Sequence, residues 1–111
     1  MKVEILYVAD CPSQSAAVAL VKDVLAAQGV EAEITEVLVT DEQTAHELRF
    51  PGSPTIRING RDVAEPPETG FALKCRFYPS SLRIGLPPPE LVRLAVAAAR
   101  EEGKPCLVSP A

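Results

Sequence analysis

The period of the hydrophobic positions changes several times along the chain, and each change marks an element. Val3-Glu4-Ile5-Leu6-Tyr7-Val8 is a nearly unbroken run of β-branched and bulky residues. Such a run predicts a strand buried on both faces in the middle of a sheet. Asp10-Cys11-Pro12-Ser13 interrupts it, and from Ser13 to about Gln28 Ala17, Leu20, Val21, Val24 and Leu25 recur at steps of three and four. That spacing predicts a helix, with Gly29 as its C-terminal stop. From Glu31 to Val39 the pattern returns to strand. Thr40-Asp41-Glu42-Gln43 fits a capping box, in which Thr40 and Gln43 satisfy each other's loose backbone donors, and a short helix to about Arg49 follows.

Pro54 to Ile58, Asn59-Gly60 and Arg61 to Val63 together predict a β-hairpin, because Asn-Gly tolerates the positive φ angles of a type I′ turn. Ile56 and Ile58 are expected in the core and Arg57 outside. Residues 65–86 form an insertion, with an extra strand expected over Leu73 to Tyr78. Pro87-Pro88-Pro89 can lead into a helix but not continue one. Leu91, Leu94, Ala95 and Ala98 supply the apolar stripe of that last helix, which Gly103 ends. The expected order is β-α-β-α-β-β-(insertion)-α. The first two strands are parallel through a helical crossover and the last two antiparallel. One mixed sheet with helices on both faces satisfies that order.

Composition narrows the function. The chain has 111 residues, 47% of them hydrophobic, enough for one cored domain. The expected extent is residues 1–103, with 104–111 a loose tail. A net charge of −4 argues against binding nucleic acid by phosphate neutralisation. No apolar run reaches the ~18–20 residues of a membrane span, and no signal peptide is evident, so a cytoplasmic location is expected. Cys11, Cys75 and Cys106 are odd in number and too few for a secreted disulfide scaffold. They are therefore expected to be thiols. No zinc-type His/Cys spacing, phosphate loop, Ser-His-Asp set or carboxylate pair stands out, so no metal site or cofactor is expected.

Asp10-Cys11-Pro12-Ser13-Gln14, between a strand and a helix, resembles the redox loop of thioredoxin- and glutaredoxin-like proteins. Gly52-Ser53-Pro54-Thr55 ahead of the hairpin resembles their cis-proline motif. The likeness is nearest to small thioredoxin-like proteins, some labelled alkylmercury lyase-like. There a Cys-Pro-x-Cys loop is followed by Arg-Phe-x-Gly-Ser-Pro-Thr, an Asn/Asp-Gly-Arg-Asp hairpin and a Cys-Arg-x-Tyr segment. This chain has Arg49-Phe50-Pro51-Gly52-Ser53-Pro54-Thr55, Asn59-Gly60-Arg61-Asp62 and Cys75-Arg76-Phe77-Tyr78. The resemblance implies a thioredoxin-like three-layer α/β/α fold with a four-stranded mixed sheet. It also implies a cis Pro54, and a substrate surface at Pro12, Ser53 and Pro54.

Gln14 stands where the second loop cysteine belongs. An amide cannot resolve a mixed disulfide, so dithiol chemistry within the loop is excluded. Two functions remain from different classes. In the first, Cys11 performs monothiol exchange with a thiol or disulfide partner, resolved by Cys75 or an external thiol. The helix start favours its thiolate, and Asp10 opposes it. In the second, the chain is a binding module, for a soft ion such as mercury or copper(I) held by Cys11 and Cys75, or for a protein partner. Cys75 is equally readable as a small buried hydrophobe. A third reading keeps the fold without the chemistry. The chain is expected to be a monomer or a weak homodimer, with Phe71, Phe77 and Tyr78 as the surface for self-association.

Overall fold

The computed structural model describes residues 1–64, 68–74, 76, 78 and 85–102. Among the described residues seven elements occur, in the order β1 (Lys2–Tyr7), α1 (Gln14–Gln28), β2 (Glu33–Leu38), α2 (Glu42–Glu47), β3 (Thr55–Ile58), β4 (Arg61–Asp62) and α3 (Pro89–Glu102). The strands form one sheet in the order β2-β1-β3-β4. β1 runs parallel to β2 and antiparallel to β3, and β3 runs antiparallel to β4. The mixed four-stranded sheet and the three helices match the element order read from the sequence.

β1 is central, and its side chains alternate between two clusters. Val3 and Ile5 stand opposite Ile58 and Ile56 of β3. All four are buried in one cluster with Ala17, Val21, Val24 and Leu25 of α1 and Val92, Val96 and Ala99 of α3. Leu6 belongs to a second cluster with Val39, Phe50 and Ala45 of α2. Since successive strand residues face opposite ways, α1 and α3 cover one face of the sheet and α2 part of the other.

Local chemistry explains most element ends. Gly29 takes the left-handed conformation, φ 65°, and its N–H bonds the Leu25 and Ala26 carbonyls. Asn59 and Gly60 both have positive φ, 52° and 84°, as a type I′ turn requires. Pro89 opens α3, where a missing N–H costs nothing.

Several expectations need correction. The cap of α2 is Asp41, whose carboxylate accepts a 2.7 Å bond from the Thr44 N–H. That bond holds the Asp41 carboxyl below its ordinary pKa. Thr40 and Gln43 do not form a capping box: the Gln43 amide donates to Glu47 instead. Helix α2 ends at Glu47, because Arg49 already has φ 53°. Arg57 is only half-exposed, and its guanidinium donates to the Leu48 and Arg49 carbonyls. No strand forms among the described residues of 71–78. The fate of Gly103 and of the tail lies outside the described residues.

The stripe of α3 is displaced by one position. Val92, Val96 and Ala99 are the buried residues, whereas Leu94 is 57% exposed. α3 is apolar on two sides, and α1 together with the sheet claims only one. Leu91, Leu94, Ala95 and Ala98 line an outer groove with Ile58 and Val63 instead. Val96→Ala is therefore expected to cost about 1.5–3 kcal/mol, and Leu94→Ala to stay within about 0.5 kcal/mol of the parent. Urea unfolding of the two variants checks the assignment; equal losses would return the core to the Leu94 face.

Candidate functional site

Cys11 is half-buried in the connection from β1 to α1. The loop is built by short-range bonds. Asp10 adopts φ 60°, a conformation Asp tolerates better than most residues. The Cys11 N–H donates to the Val8 carbonyl at 3.3 Å, and the Gln14 N–H donates to the Cys11 carbonyl at 3.4 Å. Pro12 and Asp10 are exposed. Helix α1 begins at Gln14, with no acidic residue in its first turn and no side-chain cap from Ser13. The Gln14 amide donates to the Glu36 carboxylate on β2 at 2.5 Å, which ties the start of the helix to the neighbouring strand. On another side Gly85 lies so close to Ser13 that a Cβ there would sit 2.6 Å from the Ser13 hydroxyl.

The segment Gly52 to Thr55 meets this loop at the same end of the sheet. Leu6 is the register partner of Thr55, so one step further along the pleat brings Val8 beside Ser53. The Val8 N–H donates to the Ser53 hydroxyl at 3.2 Å. The Ser53–Pro54 peptide is cis, as expected. Ser53 and Pro54 are both buried, and their backbone groups are occupied within the chain. The Ser53 N–H donates to the Lys74 carbonyl at 2.7 Å, the Arg76 N–H donates to the Ser53 carbonyl at 2.9 Å, and the Tyr78 hydroxyl donates to the Pro54 carbonyl at 2.5 Å.

Beneath Ser53 and Pro54 lies a buried polar network that sequence reasoning missed. The Arg76 guanidinium is paired with the Asp62 carboxylate at 2.7 Å, with side chains only 6% and 4% exposed. The same nitrogen lies 3.3 Å from the Thr55 hydroxyl, which itself donates to the Gly52 carbonyl at 2.6 Å. The guanidinium carbon sits 4.6 Å above the centre of the Tyr78 ring, a cation–π distance. Burial pushes the Tyr78 phenol well above its ordinary pKa; the Asp62 charge adds to this and the Arg76 charge opposes it. A Cβ on Gly52 would come within 2.9 Å of the Arg76 backbone. One signal for the network was available. Register pairs Asp62 with Arg57, so both face away from the main core, and an acid there requires a cation to neutralise it.

Of the site residues expected from sequence, Cys11, Pro12, Ser53 and Pro54 come together at this end of the sheet. Cys75 and Cys106 lie outside the described residues. Of the three aromatics considered for self-association, Tyr78 is buried, Phe71 lies 5.0 Å beneath the Arg49 guanidinium, and Phe77 lies outside the described residues. Among the described residues no group of three His, Cys, Asp or Glu side chains could hold a metal ion, and no helix is long and apolar enough to cross a membrane. No family model, no curated protein and no solved structure matches the chain.

The network makes two predictions. Asp62→Ala strands a buried guanidinium and is expected to cost about 3–5 kcal/mol, whereas replacing Asp62 and Arg76 together by apolar residues is expected to cost much less; denaturant melts of both variants decide it. The second concerns pH. The folded Tyr78 pKa is raised, so its neutral form contributes stability that is fully present below pH 10.0, the ordinary value, and is lost as pH rises toward the folded value. Urea midpoints are therefore expected to fall more steeply above pH 10 in the parent than in Tyr78→Phe. Parallel curves would remove Tyr78 as the titrating group.

Proposed function

We propose that this chain is a thioredoxin-like protein that works as a monothiol exchange catalyst through Cys11. The observation that carries this reading is the position of a half-buried thiol between the central strand and the first helix, in a loop pinned to the Ser53–Pro54 turn. The element order and the sheet order β2-β1-β3-β4 support the fold assignment. So does the cis Ser53–Pro54 peptide. Exposed Pro12 and Asp10 flank the thiol on the surface. Ser53 and Pro54, whose polar groups are already bonded, act from below by shaping the loop.

The exchange needs no cofactor. The Cys11 thiolate attacks one sulfur of a disulfide R–S–S–R′, forming a mixed disulfide with R and expelling R′ as its thiolate. A second thiolate then resolves it: an external thiolate attacks the R sulfur, forming a new disulfide and returning Cys11 as thiolate, whereas Cys75 would attack the Cys11 sulfur, expelling R as its thiolate and leaving a Cys11–Cys75 disulfide for external thiol to reduce. The protons released on ionising the thiols pass to solvent, and the number of disulfides is conserved. Gln14 cannot be that second thiol. The resolving group is an external small thiol or Cys75, a residue outside the described set, as is the Cys11–Cys75 pairing that soft-metal binding would use.

The test is reduction of bis(2-hydroxyethyl) disulfide with glutathione as donor, followed by release of the small thiol. Cys11→Ser is expected to drop to the uncatalysed rate. Retention of turnover by Cys75→Ser assigns resolution to the external thiol, and its loss assigns resolution to Cys75. Full activity in Cys11→Ser, or none in the parent with any thiol donor, would end the proposal.

A further inference from the structure

An unbroken series of contacts leads from the sheet edge to the Cys11 loop. It begins at Asp62 on the short edge strand β4, which holds the Arg76 guanidinium. Arg76 lies over the Tyr78 ring, and the Tyr78 hydroxyl holds the Pro54 carbonyl. The Arg76 N–H holds the Ser53 carbonyl, the Ser53 hydroxyl holds the Val8 N–H, and the Val8 carbonyl holds the Cys11 N–H. Ser53, Thr55, Arg76 and Tyr78 are all buried. No buried side-chain nitrogen or oxygen among the described residues lacks a partner. The network therefore has no orphaned group to offer a ligand. Its polar capacity is spent on the two residues beneath the thiol loop.

We infer that Tyr78 and Ser53 are positioning residues for Cys11, with the Asp62–Arg76 pair holding Tyr78 in place. The inference rests on Cys11 being the reacting thiol of the proposed exchange. Fold stability alone does not require this arrangement, because a buried ion pair is often no more stabilising than an apolar replacement. Its geometric specificity is what matters here. The Tyr78 hydroxyl and the Ser53 hydroxyl each fix one backbone group next to the loop. Removing either leaves Cys11 in a looser loop, more open to a small reagent and less well held for a disulfide.

The test measures Cys11 labelling by iodoacetamide in the full native chain at fixed pH, with peptide-resolved mass spectrometry so that each cysteine is followed separately. Ser53→Ala removes the bond to Val8, and Tyr78→Phe removes the bond to Pro54 while keeping the ring. Each is expected to speed Cys11 labelling about threefold or more and to slow disulfide exchange, chiefly through KM. Val96→Ala, in the main core and outside the network, serves as control. With labelling compared at equal urea stability, it is expected to leave the Cys11 rate unchanged. Unchanged or slower labelling in both Ser53→Ala and Tyr78→Phe would overturn the inference, as would equal acceleration by Val96→Ala. Should Tyr78→Phe fail to fold, Ser53→Ala decides alone. A parent protein without exchange activity would sink the function proposal and leave the labelling comparison standing as the test of positioning.

Discussion

β1 is hydrogen-bonded along both edges, and most of the molecule follows from that constraint. A strand paired on both sides cannot turn either face to water when it carries Val3, Ile5 and Leu6. Its first face is closed by α1 and α3, and part of its second by α2. The central position also fixes where the chain must leave the sheet. β1 ends at Tyr7, so the residues that follow emerge at the end of the core, where β3 enters from the opposite direction. The half-buried thiol is placed by this topology before any side chain acts on it.

The second sheet face is handled differently. α2 is only six residues long and contributes Ala45 to a small cluster. Phe50, Leu48 and Leu73 add apolar cover, and the rest is polar. Arg57 reaches the carbonyls at the end of α2, and Arg76 is enclosed with Asp62, Thr55 and Tyr78. An interior built from directional bonds permits fewer arrangements than an apolar one, since each donor must meet a particular acceptor. The side of the sheet with the least hydrophobic cover thus has the most narrowly defined geometry, and it is the side that supports Ser53 and Pro54.

The strands, the Asn-Gly turn and the end of α1 were legible because each depends on local rules: period, positive φ and a left-handed glycine. The stripe of α3 was not, because Leu91, Val92, Leu94, Ala95, Val96, Ala98 and Ala99 offer two apolar faces. Only packing against α1 and the sheet selects between them. The α2 cap was misassigned by one residue because Thr40 and Asp41 are both good caps, and the choice depends on which backbone N–H comes within reach. For the site, the loop at Cys11 and the turn at Pro54 were visible as motifs. The Asp62–Arg76–Tyr78 network was legible only as an acid in need of a cation, because Arg76 and Tyr78 are 14 and 16 residues from Asp62 and no local signal names them as its partners.

Gly52 gives the network an evolutionary signature. Its φ of 139° and the 2.9 Å approach of the Arg76 backbone leave no room for a side chain, whereas Gly60 in the hairpin faces open space. The two glycines are therefore under different kinds of constraint. Position 60 answers only to the turn and can drift to Asn or Asp. Position 52 is coupled to the path of a segment more than twenty residues away. In a homologous chain, any other residue at position 52 would signal that the stretch around Arg76 had been rerouted, and that the floor under its thiol loop was built from something else.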